Sequence, residues 1–228
     1  GTVLPTYDAL FEKKVNIHHV LVRHEQGAVI AAEGYAKSTG KIGVCIATSG
    51  PGATNLVTGI ADAMLDSVPL VCITGQVASN LIGSDAVQEA DIVGITIPIT
   101  KWNYQVTKAA DIPAVLAKAF YYATHGRPGP VVVDITKDAQ MEMLDYEYLP
   151  HVPRVEPVHK HSDMKFIEIA DMLNNAKRPL ILAGNGVGIS NAEDELLKLV
   201  EKATIPVACT LHGLHNFPSD HELFVGLL

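Results

Sequence analysis

The chain has 228 residues, of which 48% are hydrophobic and 18% charged, and its formal charge is −8. That balance provides a sizeable core and excludes a disordered chain. It also excludes a general nucleic-acid or anionic-membrane binder, which needs Lys and Arg for phosphate contacts, but leaves room for a phosphorylated cofactor held by backbone amides. The apolar runs are short and interrupted, so no membrane span is expected. Cys45, Cys72 and Cys209 lie far apart inside apolar runs. They suit core thiols of a reducing compartment better than a disulfide or zinc framework.

Short β-branched runs alternate with stretches of helical spacing, which predicts an α/β fold with a parallel sheet. In chain order, residues 19–24 form a strand and 26–38 an Ala-rich helix. A strand at 42–48 leads through a Gly-Pro-Gly turn into a helix over about 53–65. A buried strand follows at 69–74, then a helix at 112–124 and a strand at 130–135 built on Val131, Val132 and Val133. From Thr136 to Ser162 the periodicity fades and Pro150, Pro153 and Pro157 accumulate. Proline stiffens extended chain and is excluded from helix interiors, which predicts a linker. Alternation resumes with a helix at 163–176, a strand at 179–183, a helix at 191–202 and a strand at 205–209. The expected organisation is a first domain over 1–140, a linker over 141–162 and the start of a second α/β domain over 163–228. Both ends fall inside elements, as in a fragment of a longer protein.

Three stretches are candidates for chemistry. In Arg23-His24-Glu25-Gln26-Gly27-Ala28 a strand gives way to a helix, at the edge where open parallel sheets bind ligands. By position alone, Glu25 is also an ordinary carboxylate favoured by a helix N-terminus. In Thr48-Ser49-Gly50-Pro51-Gly52-Ala53-Thr54-Asn55 the glycines permit close backbone approach, and the following helix start offers free amides. It lacks the Lys-Ser/Thr of a Walker loop. The third stretch, Leu182-Ala183-Gly184-Asn185-Gly186-Val187-Gly188, is by itself a weak dinucleotide signal. The ten histidines show no metal-ligand spacing, and no metal-binding residue is assigned.

The first two stretches, together with Ala32-Glu33-Gly34-Tyr35-Ala36, resemble the pyrimidine-binding domain of thiamine-diphosphate enzymes. Four further segments narrow the resemblance to the acetolactate (acetohydroxyacid) synthase family: Thr74-Gly75-Gln76-Val77, Gly83 to Ile95 with Gln88-Glu89, Thr100-Lys101-Trp102-Asn103, and Gly126-Arg127-Pro128-Gly129-Pro130-Val131. The order of segments is kept along nearly the whole chain. The resemblance implies decarboxylation of pyruvate on thiamine diphosphate and transfer of the two-carbon unit to a second 2-oxo acid, in branched-chain amino-acid biosynthesis. Glu25 then matches the Glu that hydrogen-bonds the cofactor's pyrimidine ring and promotes its imino form, a role favoured by a desolvated carboxyl. Ser49, Gly50, Pro51, Gly52 and Asn55 match the cofactor-binding turn. Gln76 matches an active-site amide suited to a developing oxyanion, and Lys101 a lysine lining the substrate channel.

By the same resemblance the second domain binds FAD, through Arg127, Gly184, Gly186, Gly188, Thr210 and Leu211. The FAD-free relatives are the alternative, and His212 and Asn216 depart from the usual residues there. Ala78 and Val87 depart at the channel mouth from the Pro and Phe of many relatives. A Gly-Asp-Gly motif with its Asn, which would hold magnesium and the diphosphate, does not occur in these 228 residues. The family places it in a C-terminal domain and builds each site between two subunits, so a homodimer or homotetramer is implied, with a possible regulatory small subunit. The implied location is bacterial cytoplasm or an organellar matrix. The alternatives are another thiamine-diphosphate decarboxylase or carboligase, a non-catalytic assembly paralogue, or an NAD- or FAD-dependent oxidoreductase resting on the Gly184 turn alone.

Overall fold

The computed structural model describes residues 1–12, 17–146 and 163–228. The chain divides into two units, Gly1–Val155 and Glu156–Leu228.

In chain order the first unit contains helix α1 (Leu4–Glu12), α2 (Glu25–Thr39), strand β1 (Gly43–Ala47), α3 (Pro51–Thr54), α4 (Val57–Asp66), β2 (Leu70–Gln76), α5 (Ile92–Thr96), β3 (Trp102–Val106), α6 (Ile112–Thr124), β4 (Pro130–Thr136) and α7 (Lys137–Met141). Its four strands are all parallel, in the order β1-β2-β4-β3. The two central strands are buried along almost their whole length because both their faces are covered, as in parallel sheets generally. The side-chain period of two then divides the core. Cys72 and Val132 face α2 and α4, packing with Val29, Leu56 and Ile60. Val71, Val131 and Val133 face α6, packing with Val115, Ala119 and Ala123. Cys45 and Cys72 are register partners on β1 and β2, with their Sγ atoms 3.4 Å apart and both thiols free and buried.

Several expectations are corrected. Residues 19–24 are not a strand: Val20 and Leu21 are exposed and no ladder forms there. Their β-branched alternation supplies propensity, but a strand exists only with a partner. The helix expected over about 53–65 is broken at Asn55 and Leu56 into α3 and α4. β3 escaped notice because Trp102-Asn103-Tyr104-Gln105 carries polar residues on an edge strand that is only partly buried. Thr136 to Met141 is not linker: Thr136 completes β4 and the next five residues form α7. The rest of the expected linker lies largely outside the described residues, at 147–162.

The second unit contains α8 (Asp163–Asn175), β5 (Ile181–Ala183), α9 (Gly186–Ile189), α10 (Glu193–Ala203), β6 (Val207–Cys209) and β7 (Phe224–Leu227). Its three strands are parallel, in the order β5-β6-β7, around a core of Ala183, Val200, Val207, Cys209 and Phe217. The mixed α/β class with parallel sheets is thus as expected. Among the described residues no helix is long and apolar enough to cross a membrane.

Candidate active site at the sheet edge

α2 runs antiparallel to the strand it precedes, so its first residue, Glu25, comes to the edge formed by the carboxyl ends of the strands. His24 caps the helix, its Nδ1 accepting the Gln26 amide at 3.1 Å. That fixes the entry of the chain and leaves Glu25 in the first turn, where the macrodipole favours a carboxylate. The side chain is half-buried rather than dry as expected. Asn55, at the end of α3, donates its Nδ2 to Glu25 Oε2 at 3.0 Å. On the other side lies Gly52, where an added Cβ would stand 3.4 Å from Glu25 Oε1.

The glycine turn is built for close approach. Gly50 has φ 58° and ψ −120°, a region reserved for glycine, and both Gly50 and Gly52 are buried. Ser49 is 1% exposed, and its Oγ has no hydrogen-bond partner in the structure. A buried hydroxyl left unpaired costs about 1–3 kcal/mol, and a ligand with a polar group relieves that cost. The Thr2 hydroxyl steadies the turn by accepting the Ser49 amide at 3.2 Å and pairing with Thr48 Oγ1. A carboxylate, an amide, an orphaned hydroxyl and two side-chain-free backbone positions thus meet at one edge. This set fits the polar edge of an aminopyrimidine ring.

Two expected site residues are otherwise engaged. Gln76 is 2% exposed and has no donor to spare: its Nε2 donates to Ala90 O at 2.8 Å and to Asp134 Oδ2 at 3.0 Å. Its Oε1 accepts the Val77 amide at 2.9 Å. In this structure it ties β2 to β4 and to the segment ending at Ala90. The Lys101 ammonium donates to the carbonyls of Tyr122 and, at 2.7 Å, of His125. It closes the C-terminal end of α6, and burial lowers its pKa.

Gln88 is the residue the sequence did not place. It has φ 62°, and its carbonyl oxygen and Cα lie 2.7 and 2.9 Å from the position of a Cβ on Gly50. The segment that carries it is tied twice. The Glu89 carboxylate accepts the amides of Gly83 and Ala86, which hold its pKa down. Asp138, in the first turn of α7, accepts the Ser79 amide at 3.0 Å and the Ser79 hydroxyl. Burial works to raise the Asp138 pKa, but these hydrogen bonds win and lower it to about 2. Since its folded pKa is depressed, the tie stabilises fully above about pH 4 and is lost as pH falls toward 2. Asp138→Asn is therefore expected to lower the denaturation midpoint at pH 6, with the difference from wild type vanishing near pH 2.

Glu33 is nearly buried and pairs with Lys37 at 2.7 Å, while Lys37 also reaches Asp66 at 2.7 Å. With Asp62 these carboxylates form an acidic group that the Lys37 ammonium bridges.

In the second unit, Gly184, Gly186, Thr210 and Leu211 gather at the carboxyl ends of β5 and β6, with the Thr210 amide donating to Ala183 O at 3.0 Å. Gly186 is open, but a Cβ on Gly188 would meet His215 Nε2 at 2.4 Å and Asn216 Oδ1 at 2.7 Å. Asn216 also donates to Gly184 O at 2.7 Å. Gly188 therefore serves internal packing. Arg127, in the first unit, donates to Ser67 Oγ at 2.7 Å and to the carbonyls of Met64 and Leu65, closing the end of α4. Both residues carry these internal contacts in the structure. Arg127→Ala is expected to cost about 1 kcal/mol in urea unfolding through loss of this exposed cap.

The class that this edge defines also emerges from comparison with known proteins. Residues 1–95 match the N-terminal TPP-binding domain, and residues 167–228 the central domain, of thiamine pyrophosphate (thiamine diphosphate) enzymes. The chain belongs to that family. Over its whole length it is 53% identical to the acetolactate synthase large subunit of Corynebacterium glutamicum, 51% to that of Lactococcus lactis and 48% to the isozyme 1 large subunit of Escherichia coli. It spans between 36% and 40% of the length of these relatives.

Proposed function

We propose that this chain provides the pyrimidine side of an acetolactate synthase active site, in a protein that joins two 2-oxo acids, pyruvate being the donor. The observation that carries this reading is the meeting of Glu25, Asn55 and Ser49 around the Gly50–Gly52 turn. Thiamine diphosphate, when bound, supplies a thiazolium carbon that can lose its proton, attack a keto carbon and take up the electrons released on decarboxylation. The protein's part is to hold and orient the ring. With Oε2 kept by Asn55, Glu25 has Oε1 beside Gly52 to hold a proton at the pyrimidine nitrogen. The Ser49 hydroxyl is free to bond the same ring, and the glycines let Gln88 and Thr48 pack closely enough to fix the turn that carries it.

A partner subunit would supply the diphosphate side together with magnesium, and the second unit would hold FAD at the Gly184–Gly186 turn. Both belong to the proposal, as do the homodimeric or homotetrameric assembly, a regulatory small subunit and the second 2-oxo acid, pyruvate or 2-oxobutyrate. The test is to supply pyruvate to the full-length protein and measure acetolactate with and without thiamine diphosphate and magnesium. Formation that depends on thiamine diphosphate is expected. No product, or product formed equally without the cofactor, would overturn the proposal.

A further inference from the structure

A buried carboxylate at the same sheet edge has no part in the scheme above. Asp134 on β4 is wholly buried, and among the described residues no cation pairs with it. Three neutral side chains donate to it: Thr74 Oγ1 to Oδ1 at 2.7 Å, and Gln76 Nε2 and Gln105 Nε2 to Oδ2 at 3.0 Å each. Register explains the convergence. Asp134 lies opposite Thr74 on β2 and opposite Gln105 on β3, and Gln76 is two residues further along the same face of β2. Burial pushes the Asp134 carboxyl above its usual range, and the three donors oppose that shift. Desolvating a carboxylate is costly, and here no cation offsets it among the described residues; the three neutral donors hold the group in place.

What it does fix is the orientation of an amide. Gln76 directs one N–H to Asp134 and the other to Ala90 O, and its oxygen is held by the Val77 amide. Ala90 ends the segment 78–90, whose Gln88 rests against Gly50. A chain of direct contacts thus runs from Asp134 through Gln76 to the segment that covers the glycine turn.

We propose that Asp134 is a positioning residue: by orienting Gln76 it sets segment 78–90 against the Gly50 turn and so shapes the cofactor and substrate pocket. The pocket part rests on the thiamine-diphosphate reading; the tie itself does not.

The experiment compares Asp134→Asn, Gln76→Met and Gln105→Met in the full-length protein. An amide at 134 is uncharged and offers one acceptor oxygen where the carboxylate offers two, so the bonds from Gln76 and Gln105 weaken or the Thr74 hydroxyl must turn round to accept. Amide hydrogen exchange of residues 84–91, without cofactor, is expected to speed up about tenfold or more in Asp134→Asn and Gln76→Met. In Gln105→Met, which leaves the link from Gln76 to Ala90 intact, it should stay at the wild-type rate. If Asp134→Asn folds poorly, Gln76→Met carries the test.

In the holoenzyme, the pyruvate KM and the half-saturating thiamine diphosphate concentration should rise about tenfold in Gln76→Met, whereas mere loss of folded protein would lower kcat and leave both unchanged. Wild-type exchange rates in both Asp134→Asn and Gln76→Met would overturn the tie. Faster exchange with unchanged half-saturation would overturn the link to the pocket. An inactive wild-type protein would overturn the thiamine reading, while the exchange data would still decide the tie.

Discussion

Replacing Glu25 by Gln in the full-length protein is expected to reduce acetolactate formation by about a hundredfold or more, the range lost when a positioned proton-transfer group is removed. The substitution is close to isosteric. The Gln oxygen can still accept the Asn55 amide that Glu25 Oε2 now takes at 3.0 Å, so the α2–α3 contact survives. The first turn of α2 loses one favourable charge at a half-exposed position, worth about 0.3–1 kcal/mol. The thermal midpoint should therefore fall only slightly while activity collapses. A variant that keeps more than a tenth of wild-type activity would remove Glu25 from the proton-transfer role.

Gly50→Ala should have the largest effect on the fold of the site. At φ 58° and ψ −120° a side chain is strained, which costs on the order of 1–3 kcal/mol. The new Cβ would also lie 2.7 Å from Gln88 O and 2.9 Å from Gln88 Cα, both backbone atoms that cannot simply rotate away. Such overpacking adds about 1–3 kcal/mol. Urea unfolding is expected to show a loss of about 2–5 kcal/mol together with weakened thiamine diphosphate binding. Gly34→Ala is the matched control. Gly34 lies within α2, and a Cβ there meets nothing within 4 Å. Relief of backbone entropy should stabilise that variant by about 0.5–1 kcal/mol. Equal stability of Gly50→Ala and Gly34→Ala would show that the turn does not need its glycine.

Much of the first unit could be read from the sequence because its strongest signals are local. The apolar runs at residues 70–73 of β2 and 131–133 of β4 mark strands buried on both faces, and the Ala-rich spacing after Glu25 marks α2. The glycine turn showed itself by composition, and Asn55 reached Glu25 because a short helix brings it back over the turn. What could not be read depends on pairing over distance. Gln76 follows a strand at the functional edge, so the sequence gives no hint that its amide is consumed by Asp134 and Ala90, 58 and 14 residues away. Lys101 and Arg127 look like free cations until α6 and α4 present their carbonyl ends. Gln88 belongs to a segment without periodicity, and only the folded chain lays it on Gly50. Asp134 did carry a signal: a single carboxylate following Val131-Val132-Val133 in a central strand is a buried polar group that requires partners.

The sulfur pair on β1 and β2 makes the first unit its own chemical clock. Contact with Cys45, burial and the neighbouring sulfur's field together keep the Cys72 thiol protonated well beyond its ordinary range, so in the closed sheet it is a poor nucleophile. Only when the strands separate does it regain ordinary acidity and meet a reagent. The rate at which iodoacetamide consumes Cys72 would then count openings of the sheet directly, and a melt run in air, with dissolved oxygen taking up the electrons and protons of paired thiols, would progressively capture opened molecules as disulfides that cannot return.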